Sequence, residues 1–168
     1  MMVAEAMSDA LTTLATLVGT RLKSKGLMLA TAESCTGGWV GQAVTSVSGS
    51  SEWFDRGFVT YSDDAKREML GVLAGTLKRF GAVSEETARE MALGALAHSR
   101  AQVALSITGV AGPTGGSAEK PVGTVCLGWA LSGGPADTET RHFKGDRAEV
   151  RRQSVVAALE GVLERVDK

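Results

Sequence analysis

The strongest constraint in this chain is an alternation. Short apolar or β-prone runs, LMLAT (27–31), RGFVTY (56–61) and QVALSIT (102–108), are separated by stretches in which apolar residues return every three or four positions. Runs that short suit strands, and the stretches between them have helical spacing. Strands joined through helices pair parallel in a sheet whose faces the helices cover. The pattern then changes. TVCLGWAL (124–131) and TETRHFK (138–144) are separated by a turn around Ser132-Gly133-Gly134-Pro135, which makes them an antiparallel pair. The expected order is α-β-α-β-α-α-β-β-β-α. That is an α/β fold, a three-layer α/β/α sandwich around a mixed sheet, with one domain spanning 1–168.

The helices carry their own punctuation. Met7, Leu11, Leu14, Val18 and Leu22 form one apolar stripe that predicts a first helix ending near Gly26. A helical pattern runs from Gly37 to about Ser46. Ser62, followed by Asp63 and Asp64, is an N-cap with acids in the first turn, opening a helix through Leu70. Ser84 opens another that runs to Ser99. The last starts at Asp146, with Val150, Val155, Leu159, Val162 and Val166 along its inner face.

Charge and composition exclude several functions. A net charge of −1 argues against nucleic-acid binding through bulk electrostatics. No apolar run is long enough to span a membrane, and the N-terminal segment lacks the basic start and apolar block of a signal peptide. The expected compartment is the cytoplasm. Two cysteines, Cys35 and Cys126, do not make a disulfide framework. His98 and His142 lie far apart with no HxxxH or CxxC spacing, so no structural metal site is expected.

Four stretches could carry chemistry. TAESCTGG (31–38) joins a strand end to a helix start, where open α/β sheets place their sites. Ser34 and Thr36 offer hydroxyls there, and Gly37 and Gly38 allow close backbone approach. Ser34 or Thr36 could equally do no more than cap the helix, and Cys35 is an alternative nucleophile if its pKa is lowered. VTYSDDAK (59–66) puts Tyr61 at a strand end and Lys66 one turn into a helix, at the same end of the sheet. A serine needs a base, and a lysine with a depressed pKa can serve. The long loop GVAGPTGGSAEKPVG (109–123) is glycine-rich but matches neither a P-loop nor a dinucleotide fingerprint. Arg147, Arg151 and Arg152 cluster at the start of the last helix, against its dipole. There they await neutralisation by a substrate anion, or by Asp146 and Glu149.

TAESCTGGWV, GSSEWFDRGFVTYSDDAK, SITGVAGPTGGSAEKPVGTV and FKGDRAEVRRQ, in that order, closely resemble the CinA C-terminal domain family. The resemblance covers roughly residues 8 to 165. It implies a single α/β/α sandwich and an amidohydrolase that converts nicotinamide mononucleotide to nicotinic acid mononucleotide and ammonia, with no metal or other cofactor. It further implies Ser34 as nucleophile, with Lys66 and Tyr61 completing the catalytic group. Ser51 and Arg147 match positions used in activity or substrate binding. With Thr36, Gly37, Gly38, Thr108 and Gly109 they form the expected substrate contacts. The expected partner is a small nucleotide rather than nucleic acid or membrane, and a homodimer is the expected assembly. The chain resembles the stand-alone form of the family rather than the longer CinA proteins.

Overall fold

The computed structural model describes residues 2–168. Five strands form one mixed sheet in the order β2-β1-β3-β4-β5. Strands β1 (Leu29–Glu33), β2 (Phe54–Val59) and β3 (Val103–Gly109) run parallel, and β4 (Thr124–Leu131) and β5 (Asp137–His142) continue antiparallel from β3. The expected switch from crossovers to a hairpin is therefore present.

Alternation along the central strands assigns the two faces. Leu29 of β1, with Val103, Leu105 and Ile107 of β3, points into the larger core. That core is closed by α1 (Met2–Ser24), α2 (Trp39–Thr45) and α6 (Arg147–Val166). Ala30 and Ala32 of β1, with Ala104 of β3, face α3 (Asp63–Leu70) and α5 (Glu85–Ala97). Alanines on that face let α5 lie close to the sheet. The spacing leaves no room at Gly128, where a Cβ would come within 2.6 Å of the Ala88 carbonyl oxygen. Leu11, Val18 and Leu22 of the predicted first stripe are buried and Leu14 is half-buried. The side chain of Met7 lies outside the described residues.

Several boundaries differ from expectation. β1 runs two residues further than its apolar run, through Glu33, because that carboxylate is satisfied inside the protein. β2 ends at Val59, so Tyr61 lies beyond the strand rather than closing it. A short helix, α4 (Ala74–Phe80), was not predicted. Its capping groups come from α5: Glu90 accepts the Leu73 N–H at 2.9 Å and the Thr76 hydroxyl at 2.5 Å. A cap supplied from a distant element leaves no local sequence signal. Among the described residues no helix is long and apolar enough to cross a membrane.

Candidate active site

Ser34 is the first residue after β1. Neighbouring strands hold it: its N–H donates to the Ile107 carbonyl at 2.9 Å, and the Thr60 N–H donates to the Glu33 carbonyl at 2.8 Å. Parallel pairing of β1 with β2 and β3 thus delivers the 34–38 turn, the 60–61 segment and the end of β3 to one edge of the sheet. Between them opens a cleft of about 270 Å³, bordered by Ser34, Cys35, Tyr61, Lys66, Thr108 and Arg147 among others.

Lys66 forms the floor. It extends from the first turn of α3, which Ser62 caps by accepting the Ala65 N–H, and it is 1% exposed. Its Nζ lies 3.0 Å from Ser34 Oγ, 2.9 Å from the Thr60 carbonyl oxygen and 3.3 Å from that of Tyr61. Burial pushes the lysine pKa down, opposed by the Asp63 carboxylate. A neutral amine suits these three neighbours. Its two N–H groups can donate to the two carbonyls, leaving the lone pair for the Ser34 hydroxyl proton.

Tyr61 meets Lys66 through its backbone, not its phenol. Tyr61 is 65% exposed, and its hydroxyl lies 3.5 Å from Arg147 Nη2 at the cleft mouth. Arg147 also donates to the Gly112 carbonyl at 2.9 Å, tying the start of the glycine-rich loop to α6.

The turn after Ser34 is built by a residue that the sequence reading passed over. Glu33 is buried and accepts from the Thr36 hydroxyl at 2.6 Å, the Val40 N–H at 2.9 Å and the Gly41 N–H at 3.1 Å. It therefore caps α2, the role first offered to Ser34 or Thr36. Three donors onto one carboxylate explain how an acid can be buried there. Thr36 is fully buried with its hydroxyl committed to Glu33, so its side chain cannot contact substrate. Gly37 and Gly38 adopt φ of 60° and 104°, a backbone that other residues rarely take. The Gly37 N–H is already spent on the Ser34 carbonyl.

The remaining candidates separate. Thr108 and Gly109 border the cleft, with the Thr108 hydroxyl donating to Ala82. Ser51 does not. It lies in a one-turn helix, Ser50–Glu52, that leads into the start of β2, whereas Ser34 follows the end of parallel β1. The five residues of β1 separate the two edges by about 17 Å. Cys35 borders the cleft, but burial pushes its thiol up to about 11, and neither His98 nor His142 reaches it; they pair with the Gly94 carbonyl and the Thr124 hydroxyl. The arginine cluster also divides. Arg152 pairs with Glu149 at 2.6 Å, whereas Arg151 donates to the Cys35 and Thr36 carbonyls and stacks on Trp39, 5.6 Å from the ring centroid. Among the described residues no cluster of three or more His, Cys, Asp or Glu side chains could hold a metal ion.

The model of the CinA C-terminal domain matches residues 11–166, which includes every residue of this cleft. The chain belongs to the CinA C-terminal domain family. Within it, nicotinamide-nucleotide amidohydrolase PncC of Enterobacter agglomerans is 54% identical over 146 residues, 87% of this chain and 89% of that protein. The PncC of Pseudomonas putida is 50% identical over 156 residues, 93% of this chain and 97% of its own. The fold is shared with the crystal structure of the competence/damage inducible protein CihA from Agrobacterium tumefaciens. The TM-score is 0.90 at 49% identity, covering 94% of this chain and 96% of the other. The CinA family match thus agrees with the sandwich and mixed sheet seen here.

Proposed function

We propose that this chain is a nicotinamide-nucleotide amidohydrolase that cleaves the carboxamide of nicotinamide mononucleotide to the acid and ammonia. The observation that carries the reading is the contact between Ser34 Oγ and the buried Lys66 Nζ, 3.0 Å apart in an open cleft. The names of the two PncC relatives support the same substrate.

Neutral Lys66 takes the hydroxyl proton as Ser34 Oγ attacks the carboxamide carbon. The ammonium so formed gives that proton to the departing nitrogen, which leaves as ammonia. Water then attacks the resulting ester while Lys66 accepts its proton. The serine oxygen leaves and recovers a proton from Lys66. The Thr60 and Tyr61 carbonyls hold the amine through both halves. The pyridinium ring withdraws electrons from the amide and assists attack. At the mouth, Arg147 receives the phosphate, with the Tyr61 phenol beside it.

Ammonia release from nicotinamide mononucleotide by purified protein tests the reading. Ser34→Ala should lower kcat on the order of 10⁴-fold or more while substrate still binds. Arg147→Ala should raise KM for the nucleotide by about 10- to 100-fold and spare the nucleoside, as loss of one charge-assisted contact predicts. Near-normal turnover by Ser34→Ala would sink the nucleophile assignment. Equal effects on nucleotide and nucleoside would remove the phosphate role of Arg147.

A further inference from the structure

Arg151 lies outside the cleft lining, yet it holds the turn that carries Ser34. Its Nε donates to the Cys35 carbonyl at 3.0 Å and its Nη2 to the Thr36 carbonyl at 3.2 Å. In a planar trans peptide the carbonyl of one residue and the N–H of the next point in opposite directions. The Thr36 carbonyl therefore shares a rigid plane with the Gly37 N–H, which donates to the Ser34 carbonyl at 3.0 Å. The Ser34 carbonyl shares its own plane, two peptides back, with the Cys35 N–H. Fixing the first bond orients the last.

Among the described residues the Cys35 N–H meets only its own sulfur, a weak acceptor, although Cys35 is 6% exposed and borders the cleft beside Ser34. A donor met only by a weak acceptor stays poorly satisfied until a stronger one arrives. Attack by Ser34 Oγ turns the carbonyl oxygen of the substrate into an anion next to this amide, and preorganised N–H groups stabilise such charge strongly. Two neighbouring amides are less suited. That of Gly37 is already bonded, and Thr36 is fully buried.

We infer that Arg151 is a positioning residue: by holding the Cys35 and Thr36 carbonyls it aims the Cys35 N–H as the oxyanion donor. The inference rests on Ser34 being the nucleophile. Stacking on Trp39 restrains the guanidinium. A planar fork that reaches two carbonyls is a geometry that a lysine ammonium does not supply.

The test compares wild type, Arg151→Met and Arg151→Lys in three readouts: steady-state ammonia release, affinity for the 3-formylpyridine analogue of the nucleotide, and thermal melting. The aldehyde carbon of that analogue can add Ser34 Oγ and develop the same oxyanion. In Arg151→Met, kcat should fall about 10- to 100-fold, up to the loss seen when a whole oxyanion donor is removed. KM should stay within about two-fold, and affinity for the aldehyde should fall by the same factor as kcat/KM. Arg151→Lys should recover little, and it carries the comparison alone if Arg151→Met does not fold. Unchanged kcat, or a lower kcat with unchanged aldehyde affinity, overturns the inference. Ser34→Ala separates the two levels. Full turnover in that variant removes the nucleophile reading and this inference together, whereas an inert Ser34→Ala beside an indifferent Arg151→Met removes this inference alone.

Discussion

Burying Lys66 costs free energy whenever its amine is charged, because two carbonyls and a hydroxyl replace its water. Its folded pKa lies below that of the unfolded chain, so the unfolded chain holds the proton more tightly. The penalty is therefore full below the folded pKa and fades as pH rises toward the unfolded value. Activity runs the same way: a base must be neutral, so turnover falls as pH drops through the folded pKa. Asp63 holds that pKa up. Asp63→Asn should move the acidic limb of the kcat/KM profile to lower pH, and a limb that stays in place or moves up would contradict Lys66 as the titrating base. At this scale legibility divides by type of interaction. Ser34 and Lys66 were legible because a strand end and a capped helix start locate them. Glu33 was not, because its three donors come from the backbone and one hydroxyl of a turn whose shape only folding defines.

Helix α3 reaches the site only if it can settle against α5, and Gly94 is what permits that. A Cβ at this position would come within 2.1 Å of the Leu70 carbonyl oxygen, at the far end of the helix that carries Lys66. Alanine would gain about 1 kcal/mol of helix propensity. The obstacle is backbone, which cannot swing aside, and overpacking costs about 1–3 kcal/mol. Gly94→Ala should therefore lower stability in urea titration and also lower kcat, because α3 must shift with Lys66 on it. A variant as stable as wild type would show that the helices can part without loss. The elements themselves were legible where caps are local, as at Ser62, Ser84 and Asp146, each of which accepts the N–H three residues on. They were not where the cap is remote: α4 depends on Glu90, fourteen residues beyond Thr76.

The whole molecule gathers its site from segments far apart in sequence. Strand alternation and the late hairpin were enough to foresee the mixed sheet, and the rule that sites form beyond strand ends located the cleft. Which arginine would face which partner was not foreseeable. Arg147, Arg151 and Arg152 share one helical turn and a half, yet they go to the cleft mouth, the serine turn and Glu149 in that order. The edge at which Ser51 lies was hidden for a related reason, since nothing in its own motif says which edge of the sheet it will occupy.

The stacking of Arg151 on Trp39 gives the protein an optical reporter. Of its three indoles, Trp53 and Trp129 are buried against Gly19 of α1 and Gly161 of α6, whereas Trp39 is half-buried and touches the guanidinium that holds the serine turn. Emission from Trp39 should change when a nucleotide settles the turn, while the other two stay constant. Titrating nicotinamide mononucleotide into Ser34→Ala should produce a saturable fluorescence change that Trp39→Phe abolishes. Occupancy could then be followed without a label and without turnover, from light emitted one turn away from the reacting oxygen.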